Sequence, residues 1–189
     1  SYQLWIKQLD ADGNSIGQEN IRKCEKDYQR IKNNIDEFLT DPDKMRIFRL
    51  MNTAMFMQLW HSKSNNQEQV LKNEEILSFE YYKVKALDTT IFPGVVAAWR
   101  PFQLAFILLN LDGIFQSIND PQWEKRNELV DLVWFPTGGG KTEAYLGIIA
   151  LVILNRRLSL KNGVGDGVAA IMRYTLRLLT TQQFQRALR

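Results

Sequence analysis

The sequence predicts an α/β fold with parallel strands, preceded by a mainly helical N-terminal region. Three observations carry that expectation. The segments LVDLVWF (129–135) and VAAIMRY (168–174) are β-favouring and almost wholly apolar, as strands buried on both faces should be. Between them lie a glycine triplet and KTEAYLGIIALVILNRRL, a stretch long and apolar enough to be a core helix. A right-handed crossover through that helix would make the two strands parallel neighbours.

The chain has 189 residues, 45% of them hydrophobic and 24% charged, which suits one or two globular domains with a substantial core. A single cysteine, Cys24, excludes an internal disulfide framework and fits a reducing cytosol. It has neither a histidine partner nor metal-ligand spacing, so cysteine catalysis and zinc find no support. His61, the one histidine, ends a helix and suits solvent or terminal carbonyls rather than catalysis. No signal-peptide arrangement or membrane-length apolar stretch is present, and the opening SYQLWIKQLD without methionine suggests a piece of a longer protein. The formal charge is +3, but residues 155–189 hold seven lysines and arginines against Asp166 alone. That segregation is consistent with a footprint for a polyanion or with a solvated helix face.

The chain divides near residue 95. In the first part TDPDKM opens a helix, with Thr40 or Asp41 as cap and Pro42 in the first turn. Met45, Phe48, Met55, Phe56 and Leu59 recur at helical spacing and mark a core face. ADGNSIGQEN and HSKSNNQEQ are expected to be loops, and SFEYYKVKALDTTIF a short strand or an extended connection. In the second part LKNGVGDG reads as the loop between the long helix and VAAIMRY.

The chemistry concentrates in FPTGGGKT. Gly138, Gly139 and Gly140, preceded by Pro136 and Thr137, allow a turn tight enough for successive amide hydrogens to converge at the start of a helix, where negative phosphate is favoured. In the phosphate-loop signature Lys141 reaches the β- and γ-phosphates of a nucleotide and the Thr142 hydroxyl holds a magnesium ion. Where the signature asks for glycine or another small residue, this chain has Phe135.

Two flanking stretches narrow the class. WRPFQ, upstream, resembles the adenine-reading segment of superfamily-two helicases and translocases. By that resemblance Gln103 pairs with the adenine edge, Phe102 stacks on it and Arg100 adjoins them. MRYTLRLLTTQQFQRA, downstream, resembles the segment that grips one nucleic-acid strand, which would assign phosphate contacts to Tyr174, Thr175, Arg177, Thr180, Thr181 and Gln182. Together with RLMNTAM, these blocks resemble the helicase subunits of bacterial DISARM bacteriophage-defence systems, over residues 40–189 and most strongly from Trp99 onward.

The resemblance implies a mainly helical region at 1–95 and the first, incomplete part of a RecA-like ATP-binding domain at 96–189. The expected protein is an ATP hydrolase that moves on DNA, with ATP and Mg²⁺ as ligands and a second defence-system subunit as partner. The acidic box and arginine fingers of such motors are not recognisable in the chain, so on its own it is expected to bind nucleotide weakly without hydrolysing it. A phosphate-loop ATPase acting on proteins and a non-catalytic nucleotide-binding scaffold are the alternatives.

Overall fold

The computed structural model describes residues 2–9, 14–63, 98–116, 128, 130–134, 136, 138–159 and 167–173. Its elements in chain order are α1 (Tyr2–Lys7), α2 (Ser15–Phe38), α3 (Pro42–Lys63), α4 (Pro101–Leu109), α5 (Leu111–Phe115) and α6 (Lys141–Ser159). Among the described residues every regular element is a helix, with no strand and no sheet.

This corrects the expected fold class. The described residues do not form an incomplete α/β RecA-like motor domain with parallel strands. Residues 130–134 and 168–173, read as the buried strands, run without regular structure. Val130 and Trp134 are each 91% exposed, and Ile171 is 87% exposed. An apolar run states what a segment could bury. A strand exists only where its N–H and C=O groups pair with another backbone, and among the described residues neither segment forms such a ladder. The core is assembled from helices instead.

Helix α2 begins earlier than its composition suggests. The Asn14 side chain accepts the Ile16 N–H at 3.0 Å, so the helix is capped inside the stretch read as a loop. Its inward residues follow a period of three to four: Ile21, Cys24, Tyr28, Ile31, Asn34 and Phe38, with Asn34 and Phe38 fully covered. Helix α3 is capped by Asp41, whose carboxylate accepts the N–H groups of Asp43 at 2.9 Å and Lys44 at 3.2 Å. Its buried face is Ile47, Met51 and Met55, one helical turn apart. Helix α4 starts at Pro101, which fixes the preceding Arg100 in an extended conformation.

Helix α6 is central: it lies along α3 and also meets α4 and α5, while α2 lies on α4 and α5. Phe38, Ile47, Met51, Met55, Ile107, Leu111, Phe115, Leu146 and Leu151 form one buried cluster. The helices on both sides of residue 95 share it. Gly147 permits the approach of α4, since a Cβ there would stand 3.1 Å from both Ile107 Cδ1 and Trp99 Cη2. Polar contacts fix the register of α2: Asn34 Nδ2 donates to the carbonyls of Leu108 and Leu109, at the end of α4, at 2.8 and 3.1 Å.

An ion cluster ties α2 to the approach of the glycine run. The Arg30 guanidinium donates to both carboxylate oxygens of Asp112, at 2.8 and 3.1 Å, and to Asp131 at 3.0 Å. Burial by itself pulls the Arg30 pKa down, but the bonds to Asp112 and Asp131 outweigh it and raise it. Arg30 therefore stays charged.

Candidate functional site

The glycine run is shaped by two left-handed residues. Gly138 has φ of 78° and Gly140 has φ of 90°, values that a side chain disfavours. Gly139 N–H donates to the Pro136 carbonyl at 3.2 Å and closes the turn. Helix α4 then holds the loop from outside. Arg100 Nη1 donates to the Gly139 carbonyl at 2.8 Å, and Gln103 Nε2 donates to the Gly140 carbonyl at 2.7 Å. Gln103 is 5% exposed, and its Oε1 accepts the Arg100 N–H at 2.8 Å. One amide therefore caps α4 and clamps the loop. A Cβ on Gly140 would come within 2.8 Å of Gln103 Nε2, so the glycine serves this contact as well as the backbone angle.

With two loop carbonyls committed to α4, the run feeds directly into α6 at Lys141. The first turn of a helix has N–H groups without intrahelical acceptors and carries the positive end of its dipole. Lys141 Nζ donates to the Pro136 carbonyl at 3.0 Å, folding its ammonium back over the loop. The features required to hold a polyphosphate are thus contiguous: a turn with positive φ at two glycines, a helix start, and a lysine over the turn. Thr142, the second residue of α6, stands where its hydroxyl could hold a magnesium ion bound with a nucleotide.

A cavity of about 530 Å³ opens beside this loop, reaching from Gly138, Gly140 and Glu143 past Arg100 and Gln103 to helix α3. Met55, Phe56, Gln58 and Leu59 line its far side. Asn52, on α3, reaches the Trp99 ring: its Oδ1 accepts Trp99 Nε1–H at 2.7 Å and its Nδ2 donates to the Phe48 carbonyl at 2.8 Å. The sequence marked Met55, Phe56 and Leu59 only as a core face, and nothing in their spacing indicates that the face continues into a cavity. The block RLMNTAM, one of those behind the family resemblance, contains Asn52 and Met55 and was the one available signal.

Of the residues expected at the nucleotide, Arg100, Gln103, Pro136, Gly138, Gly139, Gly140, Lys141 and Thr142 come together around one loop. Phe102 follows Pro101 in the first turn of α4 and is half-buried. Thr137 and Phe135 lie outside the described residues, as do all six residues expected to contact nucleic acid: Tyr174, Thr175, Arg177, Thr180, Thr181 and Gln182. Among the described residues no group of three or more histidine, cysteine, aspartate or glutamate side chains could hold a metal ion. No helix among them is long and apolar enough to cross a membrane.

No family model matches the chain. Along its whole length it is similar to the DISARM protein DrmA of Bacillus paralicheniformis, with 38% identity over 199 residues, and it spans 16% of that protein.

Proposed function

We propose that the loop at 136–142 binds the triphosphate of ATP, and that the chain serves an ATP-driven protein acting on DNA in a DISARM-type defence against bacteriophage. The observation that carries the reading is the union, in one turn, of positive-φ Gly138 and Gly140, the start of α6, and Lys141 folded over the loop. Likeness to DrmA supports the defence role, and the preponderance of positive charge after residue 155 suits a nucleic-acid partner.

In this reading the N-terminal turn of α6 receives phosphate oxygens, and Lys141 leaves the Pro136 carbonyl to contact the β- and γ-phosphates. The Thr142 hydroxyl would hold a Mg²⁺ ion bound with the nucleotide, and the ion would supply positive charge against the phosphates. Arg100 and Gln103 keep the loop carbonyls turned away, so that the backbone is arranged before the nucleotide arrives.

The test is ATP hydrolysis by the full-length protein, with and without single-stranded DNA, in wild type and Lys141→Ala. DNA-stimulated turnover that disappears in the variant supports the reading. Turnover indifferent to DNA removes the nucleic-acid half, and turnover indifferent to Lys141 removes the loop.

A further inference from the structure

We infer that helix α3, which lies outside the glycine run and its flanking motif, supplies the wall on which the base of a nucleoside triphosphate such as ATP rests. The inference builds on the phosphate-loop reading. Its own ground is the shape and chemistry of the cavity beside the loop. At about 530 Å³ the cavity is much larger than a phosphate group needs, and it extends away from Gly138 and Gly140 toward α3. It is in the size range of pockets that enclose whole small ligands.

The two ends of the cavity differ in character. Beside the loop stand Arg100, Gln103 and Glu143, and of these the Arg100 guanidinium is the group whose charge suits a polyphosphate. On the α3 side stand a thioether, a phenyl ring and an isobutyl group: Met55, Phe56 and Leu59. Adjacent polar groups are already engaged. Both ends of the Asn52 amide are bonded, to Phe48 and Trp99, and both ends of the Gln103 amide are bonded, to Arg100 and Gly140. An inorganic polyphosphate has nothing to offer the apolar end. A flat heteroaromatic base joined to that polyphosphate does, because its faces gain from apolar and sulfur contacts while its edges remain near water.

The placement of α3 makes this wall rigid. Met51 and Met55, on the adjoining turns, belong to the core that α3 shares with α6, and the Asn52–Trp99 bond ties α3 to the residue preceding Arg100. The base wall on α3 and the phosphate loop at the start of α6 are therefore carried by two helices that pack against each other.

The experiment compares the binding of ATP and of inorganic tripolyphosphate, by calorimetry with Mg²⁺, to the full chain carrying Phe56→Ala, Leu59→Ala, Phe56→Trp or Lys141→Ala. Loss of an aromatic support for a base costs about tenfold in affinity. The expected result is that Phe56→Ala and Leu59→Ala weaken ATP, the former about tenfold, and leave tripolyphosphate unchanged, while Phe56→Trp retains ATP. Unchanged tripolyphosphate binding also reports an intact fold. ATP affinity unaltered by both alanine variants overturns the role of α3, as does equal weakening of both ligands. Lys141→Ala binding both ligands as wild type does would instead overturn the phosphate-loop reading.

Discussion

Residues 130–134 and residues 138–142 are neighbours in sequence and opposites in structure. The first segment is mostly apolar and without regular structure, and Val130, Leu132 and Trp134 are all largely exposed. The second is glycine-rich and polar, yet its turn is closed by its own backbone and its carbonyls are held by Arg100 and Gln103. Order here follows from satisfied hydrogen bonds rather than from apolar content. A loop that brings its own angles and meets a helix cap close by becomes a defined object, whereas an apolar run without a backbone partner forms no ladder.

The contrast can be broken most severely at the core. Leu151→Ala removes a fully buried side chain from the centre of the helical cluster, and chemical denaturation should show a loss of about 2–5 kcal/mol. If the loss is below about 1 kcal/mol, α6 is not the centre of the fold. Next in size is Arg30→Met, which leaves Asp112 and Asp131 without their shared cation. The guanidinium is partly exposed, with 21% of its side-chain surface accessible, so the expected destabilisation is about 1–2 kcal/mol. Gly140→Ala should cost about 1–2 kcal/mol from the left-handed backbone angle. It should also push Gln103 off the Gly140 carbonyl, a change visible at the Gln103 side-chain amide by NMR.

Asp41 gives a smaller, pH-dependent effect. Its carboxylate accepts the Lys44 and Asp43 N–H groups and faces the Lys44 ammonium, which together lower its pKa below the ordinary 3.8. A lowered native pKa means that the contribution is complete above the unfolded value and disappears as acid passes through the native one. The difference in thermal midpoint between wild type and Asp41→Asn should therefore shrink on acidification from neutral pH to below 3.8, and a constant difference would remove the charge from the cap. The smallest effect is expected at Trp134→Ser, within about 0.5 kcal/mol, because that ring is 91% exposed. A large loss there would show that the segment is packed after all.

Features with local causes were legible in the sequence. The start of α3 at Pro42, the start of α4 at Pro101, and the change from glycine run to helix at Lys141 all follow from capping chemistry and backbone freedom within a few residues. Asn14 could have been recognised in the same way, and the polar composition around it concealed a helix that begins one residue later. Distant pairings left no comparable trace. Arg30 meets carboxylates 82 and 101 positions away, and α3 meets α6 across most of the chain. The strands failed for the same reason in reverse: their apolar composition was legible, but pairing is a property of two segments. At the site, the glycine loop could be anticipated, while its clamp by Arg100 and Gln103 could not, because the resemblance turns Gln103 toward the adenine edge; nor could the α3 side of the cavity, since a core stripe and a cavity wall have the same spacing.

The shared guanidinium of Arg30 also bears on how the molecule opens. It joins α2, α5 and the segment entering the glycine run through one side chain, so none of the three can detach while its bonds remain. Amide protons in the middle of α2 and in α5 should then exchange with solvent in a common opening event rather than in separate ones. Arg30→Met would split that event in two, allowing α5 to open at a lower free energy than α2.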